Sequence, residues 1–164
     1  PDTVRQDMRV LKYHGSPNAG YQVAELLEHL QRYLHVTAKN RVAIVGLGNL
    51  GKALLRYYKN KESFFSLEAA FELDESVVGR MILGTPCYHT SEITKIVEEK
   101  NITVGIIAVP ATASQKVVDA LVMGGVRGIL MFTDMLVKVP EHVFVEYVDM
   151  TTLLETTIFF SRLS

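Results

Sequence analysis

Three glycines, Gly46, Gly48 and Gly51, follow the short apolar run 41–45 and open the helix-patterned segment 49–58. Each meets a different demand. A glycine at 46 permits a tight strand-to-helix turn, one at 48 brings the backbone close to an anion, and one at 51 lets the helix pack on the strand. The loop Gly46-Leu47-Gly48-Asn49-Leu50-Gly51 therefore suits a pyrophosphate. Amides near Asn49 and Leu50 are placed to meet it with the help of the helix dipole. The bland alternative is a tight turn without a ligand. The next strand ends Ala70-Phe71-Glu72-Leu73-Asp74, and Glu72 lies roughly 20 residues beyond the last glycine, where a carboxylate accepts hydrogen bonds from ribose hydroxyls. A carboxylate there repels a 2′-phosphate, so the spacing favours NAD(H) over NADP(H). Asp74 is the second candidate, and a solvated strand-end carboxylate the bland reading of either.

Further chemistry gathers at other strand ends. Val109-Pro110-Ala111-Thr112 closes a later strand, with Pro110 fixing the turn and Thr112 expected to cap the next helix while facing the cofactor. Phe132-Thr133 ends the strand after that. These residues are expected to wall the nicotinamide half. A pocket walled by Val109, Pro110 and Phe132 favours a neutral reduced ring over a cationic oxidised one. Of the five histidines, only His89 falls near this edge. No Ser-His-Asp or Tyr-x-x-x-Lys constellation and no metal-ligand cluster stands out, so a module that reads a cofactor fits better than a catalyst. Two other readings stay open. One is a small NAD(H)-dependent oxidoreductase using His89, Tyr88 or Lys138 as proton donor. The other is a CoA- or nucleotide-binding module without a redox role.

The elements that must position these residues alternate. Strands are expected at 41–45, 67–73, 103–109, 128–132 and 143–148, with helices at 49–58, 91–100 (capped by Thr90 or Ser91) and 113–123. That alternation predicts an α/β fold, a Rossmann-type doubly wound parallel sheet. Two helices, 2–12 and 21–34, precede it. The last segment, 151–163, is apolar around much of its circumference (Leu153, Leu154, Ile158, Phe159, Phe160, Leu163) and needs something to bury it. Residues 37–40 are the expected boundary, giving units 1–38, 39–148 and 149–164.

The chain has 164 residues and a net charge of −1, so no overall basic field advertises nucleic acid. Its single cysteine, Cys87, cannot form an internal disulfide. With no signal-like segment and no apolar run near the roughly 20 residues of a membrane span, a cytoplasmic location is expected.

Several strings together resemble a known family. They are Val4-Arg5-Gln6-Asp7, Gly20-Tyr21-Gln22-Val23-Ala24-Glu25-Leu26, the glycine loop with its strand, Ala69-Ala70-Phe71-Glu72-Leu73-Asp74, Thr85-Pro86-Cys87-Tyr88-His89, Gly105-Ile106-Ile107-Ala108-Val109-Pro110-Ala111, Gly128-Ile129-Leu130-Met131-Phe132 and Tyr147-Val148-Asp149. Over nearly the whole chain the order resembles the redox-sensing transcriptional repressors called Rex. The resemblance implies a homodimer that binds NADH and NAD+ and releases operator DNA when NADH binds, with no metal, no membrane and no catalysis. It also implies a winged-helix DNA reader, of which this chain holds the end, and a terminal helix exchanged between subunits. Arg5 and Lys12 are then the phosphate-contact candidates. The matching family positions place Tyr88 and Asp149 in the network that senses the cofactor's redox state. Their plainer readings are a core tyrosine and a helix N-cap. The sequence departs from the family with Ser16-Pro17-Asn18 in place of a basic wing, Glu72 for aspartate, Met131 for asparagine and Asp134 for proline.

Overall fold

The computed structural model describes residues 6, 8–13, 22–33, 40–59 and 65–162. The chain divides into two compact units, residues 1–39 and 40–164. In the first, helix α1 (Val23–Tyr33) carries His29, whose Nε2 lies 2.6 Å from the Leu11 carbonyl oxygen. Tyr13 donates to Glu25 at 3.3 Å. A helical stretch precedes them, reaching residue 10 before a turn. Lys12 sits in that turn with φ 53°, and Arg5 lies outside the described residues.

The second unit is built on β1 (Asn40–Val45), β2 (Phe65–Glu72), β3 (Met81–Ile82), β4 (Thr85–His89), β5 (Val104–Ile107), β6 (Gly128–Met131) and β7 (Phe144–Tyr147). Between them run α2 (Asn49–Lys59), α3 (Ile93–Glu99) and α4 (Ala111–Met123), and α5 (Met150–Ser161) follows. The strand order is β3-β4-β2-β1-β5-β6-β7. Every neighbouring pair is parallel except β3 with β4. The small antiparallel strand β3 has no counterpart in the strand pattern read from sequence.

Alternation along β1 explains why the sheet is covered on both sides. Ala43 and Val45 face one cluster with Phe71, Val97, Val118 and Leu121, beneath α3 and α4. Val42 and Ile44 face another with Leu55 and Ala70, beneath α2. Side chains alternate across a strand, so a strand apolar at every position must be covered twice. Ala43, Ile44 and Val45 are fully buried. The chain moves from β1 outward to β2 and β4, then returns past β1 to β5. That reversal leaves a crevice at the carboxyl ends of β1 and β5, where ligands of open α/β sheets sit.

Helix α5 obeys the opposite rule. Asp149 caps it, accepting from the Thr151 and Thr152 amides at 2.9 and 3.1 Å and from the Thr152 hydroxyl at 2.6 Å. Every described residue of the helix is exposed, Leu153 and Leu154 at 61% each and Phe159 and Phe160 at 60% each. Two of its hydroxyls turn onto its own backbone: Thr156 donates to the Thr152 carbonyl at 2.7 Å and Thr157 to the Leu153 carbonyl at 2.9 Å.

Candidate functional site

The glycine loop leaves β1 through Gly46, whose φ of 92° disfavours any side chain. A Cβ there would also lie 2.5 Å from the Ala108 carbonyl oxygen. At Gly51 a Cβ would collide with the Gly46 carbonyl oxygen. Gly48 differs: a Cβ would meet nothing within 4 Å. The fold itself crowds any side chain at 46 and 51 but leaves room at 48. The first helical bond of α2 runs from the Lys52 N–H to the Gly48 carbonyl at 3.0 Å. The amides of Asn49, Leu50 and Gly51 therefore have no partner within the helix. No acidic residue of α2 itself occupies its first turn.

Glu72 lies beside this loop. Its carboxylate accepts from the Leu47 amide at 2.5 Å and from the Leu73 amide at 2.7 Å. It therefore holds the loop as well as facing the crevice. Asp74 is exposed and caps a turn through Ser76. The Ser76 hydroxyl and amide, with the fields of Lys52 and Arg80, hold its carboxyl below the usual range.

Two cavities flank Val109 and Pro110. The first, about 590 Å³, is bounded by Gly46, Gly48, Glu72, His89, Pro110 and Lys116 among others. Its α4 wall, Ala113, Lys116, Val117 and Ala120, was not anticipated from the sequence. The spacing i, i+3, i+4, i+7 marks these residues as one helix face. The second, about 670 Å³, is bounded by Leu50, Val109, Pro110, Ala111, Phe132 and Thr133, and across from them by Asp149 and Thr151. Leu47 is buried, Asn49 exposed, and Gly51 packs against the Gly46 backbone.

Two expectations need correction. The turn after β4 is capped by His89 rather than Thr90 or Ser91: its Nδ1 accepts from the Ser91 amide at 3.2 Å, and Glu92 accepts from the His89 amide at 3.2 Å. The same Nδ1 lies 2.7 Å from the Ser91 hydroxyl oxygen. Thr112 is the second residue of α4, exposed; the N-cap is Pro110, which makes no side-chain cap bond. Tyr88 bounds neither cavity. Its ring packs on Phe71, 6.0 Å between centroids, with the Lys100 ammonium 5.9 Å from its centroid. Lys138 also bounds neither cavity. Burial, and then the field of Glu72, pushes the Cys87 thiol up. Among the described residues no cluster of three or more His, Cys, Asp or Glu is set to hold a metal, and no helix is long and apolar enough to cross a membrane.

Comparison with known proteins places this geometry. A family model described as a CoA binding domain matches residues 37–135. A redox-sensing transcriptional repressor Rex of Ligilactobacillus salivarius (strain UCC118) is 38% identical over 158 residues, covering 96% of this chain and 74% of that protein. The crystal structure of RSP in complex with beta-NAD+ and operator DNA superposes with a TM-score of 0.85 at 28% identity, covering 96% of this chain and 73% of the other. That of RSP in complex with beta-NADH gives 0.78 at 26%, covering 99% and 79%.

Proposed function

The chain belongs to the Rex family of redox-sensing transcriptional repressors, with residues 37–135 forming a domain of the CoA-binding family, and from that premise we propose that it reads the NADH to NAD+ ratio through the crevice at β1 and β5. The observation that carries this reading is Gly48: the fold has room for a side chain there, at the start of a helix whose first amides have no helical partner. A dinucleotide would lie with its pyrophosphate on that loop, its adenosine in the cavity beside Glu72 and its nicotinamide in the cavity beside Phe132. Asn49 and Leu50 would give amides to the pyrophosphate, and Glu72 would accept from the ribose while holding the Leu47 amide.

The nicotinamide supplies a ring whose charge depends on its redox state. Val109, Pro110 and Phe132 offer it an apolar wall, which disfavours the cationic form. The same cavity reaches Asp149 and Thr151 at the start of α5, so the space that accepts or rejects the ring touches the helix that must be covered. A second copy of the chain is the proposed cover, through exchange of α5. Binding at the cavity would then alter the geometry of two DNA-reading units, and a rigid-body shift suffices to put them out of register with two half-sites. Units 1–38, 39–148 and 149–164 serve reading, sensing and assembly. Arg5 and Lys12 are the proposed phosphate contacts, and Tyr88 with Asp149 the proposed relay. The Cys87 thiol is buried and its pKa raised, so redox reading does not run through a thiolate. On this reading the chain is a sensor in the cytoplasm rather than a catalyst.

Calorimetric and fluorescence titration with NADH and NAD+ tests the proposal. Much tighter NADH binding, with neither form consumed, is expected. Equal or absent binding would remove the sensing role. Coenzyme A serves as the competing ligand, because Glu72 opposes the phosphate on its ribose; CoA binding tighter than NADH would favour the module without redox function.

A further inference from the structure

Phe132 leaves β6 toward the second cavity, and its amide is held by the Ile107 carbonyl at 3.0 Å. Thr133 and Asp134 then wall that cavity, and Met135 and Leu136 stand out from the surface, 38% and 80% exposed. Within this span the Met135 amide donates to the Thr133 hydroxyl at 3.3 Å. Beyond it the chain is gripped. The Val137 amide donates to the Tyr147 hydroxyl at 3.1 Å. The Lys138 amide donates to Gln115 Oε1 at 2.8 Å, and Gln115 Nε2 donates back to the Lys138 carbonyl at 2.9 Å. Gln115 Nε2 also donates to Asp119 at 2.8 Å, so both its amide protons and its oxygen are engaged. Val137 and Val139 pack on the core cluster, as does the Tyr147 ring.

We infer that Gln115 and Tyr147 are positioning residues for the nicotinamide half of the site: they fix the far end of the four-residue span 133–136, and with it the wall made by Thr133 and Asp134. Neither bounds the cavity itself, so any effect on a ligand must pass through the span. The two grips come from different elements, α4 and β7, and both act at the rim, where their loss leaves the buried clusters intact. This inference rests on the proposed placement of nicotinamide beside Phe132.

The test compares the parent chain with Tyr147→Phe, which keeps the packed ring and removes the hydroxyl, and with Gln115→Ala. Each is titrated with NADH and with ADP-ribose, which lacks the nicotinamide. Each variant should bind NADH roughly 3- to 10-fold more weakly, the scale of one or two neutral hydrogen bonds. The bound nicotinamide emission should shift, while ADP-ribose affinity stays at the parent value. Gln115→Glu, which turns both donor contacts, to the Lys138 carbonyl and to Asp119, into repulsive ones, should weaken NADH at least as much as Ala. Parent-like NADH affinity and emission in Tyr147→Phe would overturn the inference, and so would equal weakening of NADH and ADP-ribose. Failure of the parent chain itself to bind NADH would sink the underlying placement as well, which separates the two outcomes.

Discussion

Strand β1 and helix α5 are both rich in apolar residues, and the structure treats them oppositely. In β1, Ala43, Ile44 and Val45 have no exposed surface; in α5, no described residue is buried. The strand needs nothing beyond the chain, because α2 covers one face and α3 with α4 the other. The helix has no such cover. Each large apolar side chain left in water forgoes about 1.5–3 kcal/mol, a sum comparable to a small domain's whole stability. The difference separates residues whose identity is set by this fold from residues whose identity is set by what meets it. Gly51 and Gly48 repeat the contrast within one loop.

The contrast breaks most sharply at α5. Leu154→Glu combined with Phe159→Glu should forfeit about 3–6 kcal/mol of burial between copies while leaving the sheet unit folded. If α5 is covered by a second copy, sedimentation should show two chains for the parent and one for the variant, and an unchanged mass would mean that a second copy does not cover this face. On the other side, Gly51→Val should lower unfolding free energy by on the order of 3 kcal/mol, because the backbone it meets cannot yield; denaturant titration reads this. Gly48→Val should leave the melting temperature nearly unchanged yet weaken NADH by roughly 100-fold, about 2.7 kcal/mol. Equal stability losses at 48 and 51 would erase the distinction between them. A smaller effect is expected for Glu72→Gln. Loss of a charged acceptor should weaken NADH about tenfold and narrow its advantage over NADPH in the same titration.

The smallest effect concerns the Asp149 cap. The Thr152 hydroxyl and amide, with the Thr151 amide, hold its carboxyl below the usual range. A depressed folded pKa means stabilisation present above the unfolded value and lost as pH falls through the folded one. Asp149→Ala should therefore melt lower than the parent at pH 7. The gap should close as pH drops below about 4, the usual carboxylate region; a gap that persists at lower pH would assign the loss to something other than the cap.

The doubly wound sheet was legible because its strands are short apolar runs between helix-period segments, a contrast of periods visible without contacts. Strand β3 was not. Two residues carry no period, and their pairing depends on the turn at Leu83 and Gly84, with φ of 51° and 85°. That backbone suits Asn-Gly or Gly-Gly and is hidden when a leucine occupies its first position. The glycine loop and Glu72 were legible from spacing. The bond from the Leu47 amide to Glu72 was not, because a longer carboxylate reaching back to the loop follows from the strand's register and not from its sequence. Thr112 looked like a cap because threonine favours that role, yet the helix starts at Ala111, immediately after Pro110. Tyr88 was placed by resemblance, and its packing on Phe71 is a matter of which face of β4 it occupies.

The hydroxyls of Thr156 and Thr157 are spent on the helix's own carbonyls, so covering α5 need not strand them. Under the proposed exchange this ties folding to mass action. The uncovered helix is a reactant, the covered one a product, and each tenfold dilution subtracts about 1.4 kcal/mol from the association that covers it. Melting temperature then becomes a function of how much protein is present, and a cell could tune the repressor's persistence by its abundance alone.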